Sequence, residues 1–498
     1  MVLLYIKQFI YMKKFPNLAC FLLLSTLFIK AQTPCEDGFA GGFPCEGYDL
    51  MNLFDKEKLS NSNGSDIWGW TDPATSKEYA ITTFGDKTCF IDISDPLNPL
   101  YLGFLNSNIF FTTKVWRDVK VYKNHAFIVA DNVGAHGMQV FDLTRLRNVT
   151  SPPENFTQDT VLTSGIDSST IASCHNIVIN EGVGVAYLVG CNSANGGGPI
   201  MVDISDPKNP VTVGQYTESG YTHDAQAVTY RGPDSRYTNK EILVTSNGSQ
   251  RGTNKVVIID VTDPTAPQKI AEIAQFNAKY IHQGWFTSNQ KYFLVNDELD
   301  EESVGNNTKT LIYDFTDLEN PIYHSQFFNT TASIDHNLYV KDNLVFQANY
   351  TSGMRVLDIS DIQNIHEIGY FDTYPENDGV SFNGIWSVYP YFSSGKIILS
   401  DFNRGFFIVK KSETLQMENF LVKNPFTIYP NPAKNNPILK SSQNTPIESI
   451  EIYSLLGQKI FHQKEIQQLE YLLPTESMVR GMYLVKINGS LTKKLILN

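Results

Sequence analysis

The residues of this chain best suited to chemistry are histidines that recur along its middle and stand beside a second polar residue. The polar pairs of equivalent position are Ser65-Asp66, Arg117-Asp118, His175-Asn176, His223-Asp224, His282-Gln283, His336-Asn337 and Asn383-Gly384. Imidazole beside a carboxylate suits proton transfer near neutral pH, and the two together can also form the shell of a divalent metal ion. The pairs therefore predict a catalytic or ligand-binding surface if the fold brings them together.

An acidic segment supplies the carboxylates of the best metal candidate. Residues 297–302 read Asp-Glu-Leu-Asp-Glu-Glu, and we expect this loop to lie near His282. The predicted ligands are His282, Asp297, Glu298 and Asp300. Imidazole with carboxylate would suit Zn²⁺, whereas carboxylates alone would suit Ca²⁺. The alternative interpretation is an acidic loop that is simply solvated.

A wider ligand rim is expected around these residues, at one mouth of a central channel. Its predicted members are Asp66, Arg117, Asp118, His175, His223, Asp224, His336, Trp68, Trp285 and Trp386. The tryptophans either pack between repeats or stack on sugars, and a recurrent histidine can simply hydrogen-bond the backbone of the neighbouring repeat. The sequence has no GxSxG, P-loop, HExxH or dinucleotide-binding glycine motif in a fitting context, so no catalytic residue and no organic cofactor are assigned.

The elements that must position these residues form a repeat. An apolar strand ends in an Asp, an apolar residue, Ser or Thr, and mostly a second Asp with a proline-containing turn, as in Phe90–Pro99 and Met201–Pro210. The first aspartate of each copy is Asp92, Asp142, Asp203, Asp260, Asp314 and Asp358, at spacings of 50, 61, 57, 54 and 44 residues. Periods of this size in an all-β chain are typical of propeller blades. We expect the aspartate to cap its own turn.

The seven polar pairs predict seven blades. Each pair precedes an apolar strand, a second strand, the aspartate-marked third strand and a fourth strand such as Val211–Tyr216. The last copy stops after its third strand, at Gly405–Val409, and residues 48–54 could supply the missing outer strand and cover the open edge. The predicted fold is all-β: a seven-bladed β-propeller followed by a small C-terminal β-sandwich.

Composition agrees with this fold class and narrows the partners. Charged residues are 18% of the 498 residues and aromatic residues 12%, with 33 Gly and 23 Pro, a composition that excludes a coiled coil, a long helical bundle and bulk disorder. The net charge of −13 argues against nucleic-acid binding. Extracellular protein, glycan or cation ligands stay open.

The start of the chain resembles a secretory signal. Lys13-Lys14 precedes an apolar run that ends near Ala31-Gln32, too short to span a membrane, and translation could begin at Met1 or Met12. Export makes disulfides possible. We expect Cys174 and Cys191 to face each other across a hairpin and Cys35 and Cys45 to close a short loop, which leaves Cys89 as a buried thiol. The predicted divisions are a signal peptide at 1–32, the propeller at 33–412, a linker at 413–425 and a tail domain at 426–498.

The tail resembles the C-terminal sorting domain of the type IX secretion system. The resemblance rests on Tyr429-Pro430-Asn431-Pro432, Leu456-Gly457-Gln458, Gly481–Val485 and the basic-then-apolar end at Lys493–Leu497. It implies recognition by the type IX machinery, passage across the outer membrane, and removal of the tail with surface attachment or release. An ordinary carbohydrate-binding-like sandwich is the alternative.

The repeat region resembles a second family, the choice-of-anchor B surface proteins with LVIVD repeats. The resemblance covers Cys35–Lys411 and is carried by residues 66–70, 116–122, 221–226, 282–285, 335–340 and 371–375. It implies a secreted or surface propeller without a known activity. Three function classes remain: a binding propeller, an extracellular metal-dependent or polymer-degrading enzyme that uses the His/Asp rim, and a structural envelope scaffold. Binding is favoured because no nucleophile motif is present.

Overall fold

The computed structural model describes residues 32–109, 116–192, 196–248, 254–275, 277–412, 425–441, 445–454, 457–489 and 491–498. The predicted signal peptide, except for Gln32, and the predicted linker, except for Pro425, lie outside these ranges. The chain divides into two compact units with the boundary between Ser412 and Glu413. Both units are built from β-strands, as the sequence predicts.

The first unit contains thirty-one strands in its described part. The strands up to the third repeat are β1 Phe39–Ala40, β2 Phe43–Glu46, β3 Tyr48–Asp55, β4 Gly64–Thr71, β5 Glu78–Phe84, β6 Lys87–Asp92, β7 Leu100–Asn106, β8 Arg117–Tyr122, β9 His125–Ala130, β10 Met138–Asp142, β11 Glu154–Phe156, β12 Thr160–Leu162, β13 Asn176–Asn180, β14 Val185–Val189, β15 Ile200–Asp203 and β16 Val211–Gln215. The others are β17 Asp224–Thr229, β18 Glu241–Asn247, β19 Lys255–Asp260, β20 Gln268–Ala274, β21 Ile281–Phe286, β22 Tyr292–Asp297, β23 Lys309–Asp314, β24 Ile322–Phe328, β25 Leu338–Lys341, β26 Leu344–Ala348, β27 Met354–Asp358, β28 His366–Phe371, β29 Ile385–Tyr389, β30 Lys396–Asp401 and β31 Gly405–Lys411.

Helices are short in this unit. The α-helices are α1 Lys56–Leu59 and α2 Asp300–Val304, and the 3-10 helices are Leu143–Asn148, Ile166–Ser168 and Ser235–Tyr237. The α2 helix begins within the acidic segment at 297–302, which the sequence predicts as a loop, and ends at Val304.

These strands form seven antiparallel sheets of at least four strands each. The orders are β4-β5-β6-β7, β8-β9-β10-β12, β13-β14-β15-β16, β17-β18-β19-β20, β21-β22-β23-β24, β25-β26-β27-β28 and β29-β30-β31-β3. The first sheet gains β11, parallel to β7, and the sixth gains the hairpin of β1 and β2. The first strands β4, β8, β13, β17, β21, β25 and β29 contact one another in this order, and β29 contacts β4.

The N-terminal strand β3 completes the last sheet. It pairs antiparallel with β31, from Tyr48 opposite Lys411 to Asp55 opposite Gly405. This confirms the sequence prediction that residues 48–54 supply the outer strand.

The aspartates of the repeat cap their own turns, as predicted. Asp203 at the end of β15 accepts the backbone N–H of Ser205 at 2.8 Å, and Asp260 at the end of β19 accepts that of Thr262 at 2.9 Å. The same bond recurs at Asp92, Asp142, Asp314 and Asp358. The side chain thus supplies an acceptor to an N–H that has left the sheet ladder.

The fourth strands approach the turns of the next repeat very closely. At Gly214 in β16, a Cβ atom would lie 1.8 Å from the carbonyl oxygen of Pro264, which belongs to the turn after β19. No other residue fits at this position without a backbone shift. Neighbouring sheets therefore pack without a gap at this point.

The second unit holds seven strands in its described residues. They are β32 Phe426–Tyr429, β33 Ile438–Ser441, β34 Ile447–Ser454, β35 Lys459–Gln468, β36 Glu470–Leu472, β37 Gly481–Ile487 and β38 Leu491–Leu497. One sheet has the order β32-β33-β36 and the other β35-β34-β37-β38. Side chains from both sheets, among them Leu439, Ile450 and Val485, share one buried core.

Candidate functional site

The polar pairs lie at the starts of the first strands. Many of their side chains form hydrogen bonds to the neighbouring sheet. Asp118 accepts the N–H of Ile177 at 2.9 Å, and Gln283 accepts that of Leu338 at 2.6 Å. The Asn176 amide donates to the carbonyl oxygen of His223 at 3.1 Å. The pairs therefore recur partly because each sheet needs polar partners for the edge of the next one.

Four histidines on four consecutive sheets form a continuous arc. The ring centroids of His175 and His223, of His223 and His282, and of His282 and His336 are 4.2, 4.2 and 4.3 Å apart. The arc lines a cavity of about 540 Å³, which we call the histidine cavity. Its other lining residues are Trp116, Tyr280, Glu298, Leu299, Tyr350, Phe382, Asn383, Trp386 and Phe402.

Backbone carbonyls set the tautomer of two of these rings. Nδ1 of His223 donates to the carbonyl oxygen of His282 at 3.1 Å, and Nδ1 of His336 donates to that of Trp386 at 2.6 Å. Because a carbonyl oxygen only accepts, Nδ1 carries the hydrogen and Nε2 keeps a lone pair. Burial lowers the pKa of His336 to about 3 and holds that of His223 well below its ordinary value, so both rings are neutral.

Three side chains of the cavity could hold a metal ion. One ligand atom from each of His282, His336 and Glu298 lies within 4.8 Å of the others, and His282 Nε2 is 3.8 Å from Glu298 Oε2. Tyr350 orients the carboxylate by donating its hydroxyl to Glu298 Oε1 at 3.2 Å. Two imidazoles and one carboxylate suit a Zn²⁺-like transition-metal ion, whereas Ca²⁺ prefers six to eight oxygen ligands.

At one end of the arc His175 pairs with a carboxylate. Its Nδ1 donates to Asp131 Oδ2 at 3.0 Å. Burial lowers the pKa of His175, but the hydrogen bond and the charge of Asp131 outweigh burial and raise it overall. A histidine oriented by a carboxylate in this way can accept and return a proton.

The structure brings only half of the predicted metal group together. Asp297 accepts the N–H groups of Lys279 and Tyr280, at 2.8 and 2.7 Å, and pairs with Lys309 at 3.2 Å. Asp300 also pairs with Lys309. His282 and Glu298 do meet, and His336 replaces the two aspartates. The α2 helix turns Asp300 toward Lys309 on β23, and a loop prediction could not anticipate that.

The predicted tryptophans divide between two cavities. Trp386 lines the histidine cavity, but Trp68 and Trp285 line a second cavity of about 310 Å³. Trp68 and Trp285 are each the fifth residue of their strands, β4 and β21, whereas Trp386 is the second residue of β29. Trp68 and Trp285 therefore lie farther along the first strands. We call this second space the aromatic cavity. Its other lining residues are Lys120, Val121, Val178, Ile179, Glu181, Asp224, Ala225, Gln226, Ala227, Gln283, Val340, Tyr389 and Tyr391.

Three further residues of the predicted rim are buried and line neither cavity. Arg117 is 2% exposed and donates from Nη1 to Nε2 of His136 at 3.0 Å. Asp66 and Asp118 are also buried; Asp118 pairs with Lys120 at 2.5 Å, and Asp66 accepts the amide of Asn337 at 3.2 Å. These side chains are not part of the ligand rim that the sequence predicts.

Sequence reasoning missed several lining residues. Tyr280 and Tyr350 line the histidine cavity but occur outside the polar pairs. Tyr280 had a weak signal, because it precedes His282 by two residues as Tyr221 precedes His223. Lys120 carried a usable signal, because it stands two residues after Asp118 in an apolar strand, where a lysine needs a partner.

In the structure, the cysteines form the two disulfides that the sequence predicts. Disulfides join Cys35 to Cys45 and Cys174 to Cys191, and Cys89 is a buried free thiol. The second bridge follows the register of β13 and β14, in which Asn176 faces Val189.

Comparison with known proteins identifies two segments. Residues 427–498 match the model of the secretion system C-terminal sorting domain, and residues 194–218 match the LVIVD repeat. No curated protein matches the chain. No helix of the described residues is long and apolar enough to cross a membrane.

Two solved structures are similar at low identity. A functionally unknown protein from Desulfotomaculum acetoxidans is 11% identical, with a TM-score of 0.44 over 64% of this chain and 89% of that one. A hypothetical selenium-binding protein from Sulfolobus tokodaii is also 11% identical, with a TM-score of 0.43 over 65% and 86%. Because both TM-scores are below 0.5, neither likeness bears on fold or function.

The LVIVD match covers the third and fourth strands of one sheet in the first unit, β15 and β16, and the sorting-domain match covers nearly all of the second unit's strands. The sorting domain directs export by type IX secretion to the cell surface or the extracellular space, and implies contact with that machinery. The chain contains an LVIVD repeat at residues 194–218 and ends in a type IX secretion C-terminal sorting domain at residues 427–498.

Proposed function

We propose that residues 33–412 form a seven-bladed β-propeller that works outside the cell as a binding module of the choice-of-anchor B type. Seven sheets of similar order support the blade count, and the cyclic contacts of their first strands support a closed ring. The proposed division keeps a signal peptide at 1–32, a linker at 413–425 and the sorting domain at 426–498.

The binding site in this proposal is the histidine cavity. One observation carries it: His282, His336 and Glu298 converge in a cavity of about 540 Å³, and the carbonyl oxygen of Trp386 holds His336 so that its Nε2 is available. Hydrogen bonds that orient imidazoles in this way are typical of metal ligands. We propose that these three residues hold a Zn²⁺-like ion with one coordination position left for a ligand.

Metal binding by the purified full chain tests this proposal. Co²⁺ in a four-coordinate site of this kind should give a visible absorption band, and Zn²⁺ should displace it at one ion per chain. His282→Gln and Glu298→Gln should each weaken binding about tenfold or more, whereas His366→Gln, at an exposed position, should leave it unchanged. Binding that is equal in all four proteins, or absent in the unmodified chain, would overturn the metal site.

A second candidate is an extracellular enzyme, favoured by the His175–Asp131 pair beside the same cavity. In this proposal His175 transfers a proton, and an ion held by His282, His336 and Glu298 would supply Lewis-acid chemistry toward a polymer substrate. Turnover on a panel of polysaccharides and peptides, compared between the unmodified chain and Asp131→Asn, tests it. Loss of turnover in Asp131→Asn with the metal retained supports the enzyme, and absence of turnover on the whole panel favours the binding module or a scaffold.

A further inference from the structure

The aromatic cavity is a second built site, separate from the histidine cavity. The two share no lining residue, and the aromatic cavity lies farther along the first strands. Its walls are Trp68, Trp285, Tyr389 and Tyr391, all partly exposed, and its floor is polar. At about 310 Å³ it suits a small ligand.

The floor carries more negative than positive charge. The carboxylates that line the cavity are Asp224 and Glu181, and Lys120 is the only cation among its lining residues. Asp66 and Asp118 do not line the cavity but interact electrostatically with Asp224. Lys120 is committed to Asp118, at 2.5 Å. One lysine cannot neutralise three carboxylates, so the floor favours a second cation.

Of Asp66, Asp118 and Asp224, Asp224 has the fewest partners to stabilise its negative charge. It is 7% exposed and lines the cavity. Within the described part of the chain, its carboxylate accepts one hydrogen bond, from the N–H of Ala225 at 2.7 Å. Burial and the charge of Asp118 raise its pKa to about 7, and burial with the same charge raises that of Asp66 to about 6. A cation in the cavity would stabilise the ionised form of Asp224.

The aromatic walls already hold one cation. The ammonium of Lys120 lies 4.6 Å from the ring centre of Trp68. Trp68 in turn contacts Tyr389, with ring centroids 5.0 Å apart, and Tyr389 contacts Tyr391 at 5.4 Å. Aromatic faces attract ammonium groups, most strongly where water is excluded.

We propose that the aromatic cavity binds an organic ammonium ion, with the charge against Asp224 and the alkyl groups against the tryptophan and tyrosine rings. An anion would be repelled by the same carboxylates, and a neutral sugar would leave their charge uncompensated. A metal ion does not fit, because the one cluster of three potential metal ligands found in the described residues belongs to the histidine cavity.

Titration with choline and with its neutral isostere 3,3-dimethylbutan-1-ol tests the proposal on the full chain. Calorimetry and tryptophan fluorescence should report binding of choline, with the neutral alcohol weaker by about tenfold or more. Equal affinity of the two compounds, or no choline binding at millimolar concentration, would overturn it.

Variants separate this site from the histidine cavity. Asp224→Asn and Tyr391→Leu should each weaken choline binding about tenfold, and His282→Gln should leave it unchanged. Because Tyr391 is partly exposed, its variant keeps the test valid if Asp224→Asn fails to fold. Choline binding that survives both variants would refute the site, and this result would leave the metal proposal untouched.

Discussion

Two histidines of the arc bond the backbone of the next sheet with one ring nitrogen and keep a lone pair on the other. His223 and His336 use Nδ1 to bond the next sheet, and this bond leaves a lone pair on Nε2. The structural and the functional interpretations of the recurrent histidine are therefore compatible. A substitution that keeps the hydrogen bond but removes the lone pair would separate them.

Asp372 provides a prediction at the residue scale about pH. It is 3% exposed, and burial with the nearby charge of Asp378 raises its pKa from 3.8 to about 7, against the opposing effects of the Tyr374 N–H and Arg355. The folded chain thus binds this proton more tightly than the unfolded chain does. The group favours folding fully below pH 3.8, and this contribution is lost as the pH rises to about 7.

The side chain of Asp372→Asn does not titrate. As the pH rises, the unfolding free energy of this variant should therefore increase relative to that of the unmodified protein. We expect the difference in unfolding free energy to grow by about 2 kcal/mol between pH 5 and pH 8, measured by denaturant titration at both values. The exposed Asp342→Asn is the control and should show no such growth. A difference that is constant with pH would show that Asp372 is ionised in the folded protein well below pH 7.

How far the site could be predicted is visible at particular residues. The histidine arc follows from spacing, because equivalent positions on successive sheets meet at one end of the first strands. Asp300 could not be assigned, since its direction depends on the α2 helix and on Lys309, which is nine positions away in the chain. The three tryptophans have the same spacing from their polar pairs, yet Trp386 is the second residue of its strand while Trp68 and Trp285 are the fifth of theirs. Spacing from the pair therefore could not show that they line different cavities.

At the scale of elements, the turn after each third strand is the most regular feature of the molecule. Its first aspartate caps the turn in six copies, with an N–H bonded at 2.7–3.0 Å. The sequence predicted this from local chemistry alone, because the bond spans two residues. Contacts between sheets, such as Gly214 against Pro264, depend on packing that local chemistry does not determine.

Substitution of Asp203 tests the capping role. Asp203→Ala leaves the N–H of Ser205 without its acceptor and should lower the unfolding free energy by about 1 kcal/mol. Asp203→Asn keeps an oxygen in place and should lose less than half of that. Denaturant titration measures both, and equal losses in the two variants would show that charge rather than the cap stabilises the turn.

At the scale of the whole molecule, the first and last parts of the repeat region depend on each other. Residues near the N-terminus provide β1 and β2 to the sixth sheet and β3 to the seventh. Tyr48 and Leu50 pack in one core with Phe407 and Val409 of β31. The second unit has its own core. The two ends of the first unit are therefore joined by strand pairing that only the complete region can form.

Truncation tests this dependence. A chain without residues 33–63 loses β3, and with it β1, β2, α1 and the Cys35–Cys45 disulfide. Both β31 and β28 then become open edges, and the apolar side chains of β31 lose their cover. With several buried side chains affected, the unfolding temperature of the first unit should fall by at least about 10 °C, with aggregation on gel filtration. The matched control, a chain without residues 427–498, should keep the transition of the first unit within about 2 °C. Scanning calorimetry of both proteins beside the full chain decides the matter, because an unchanged transition after removal of β3 would show that the seventh sheet is stable with three strands.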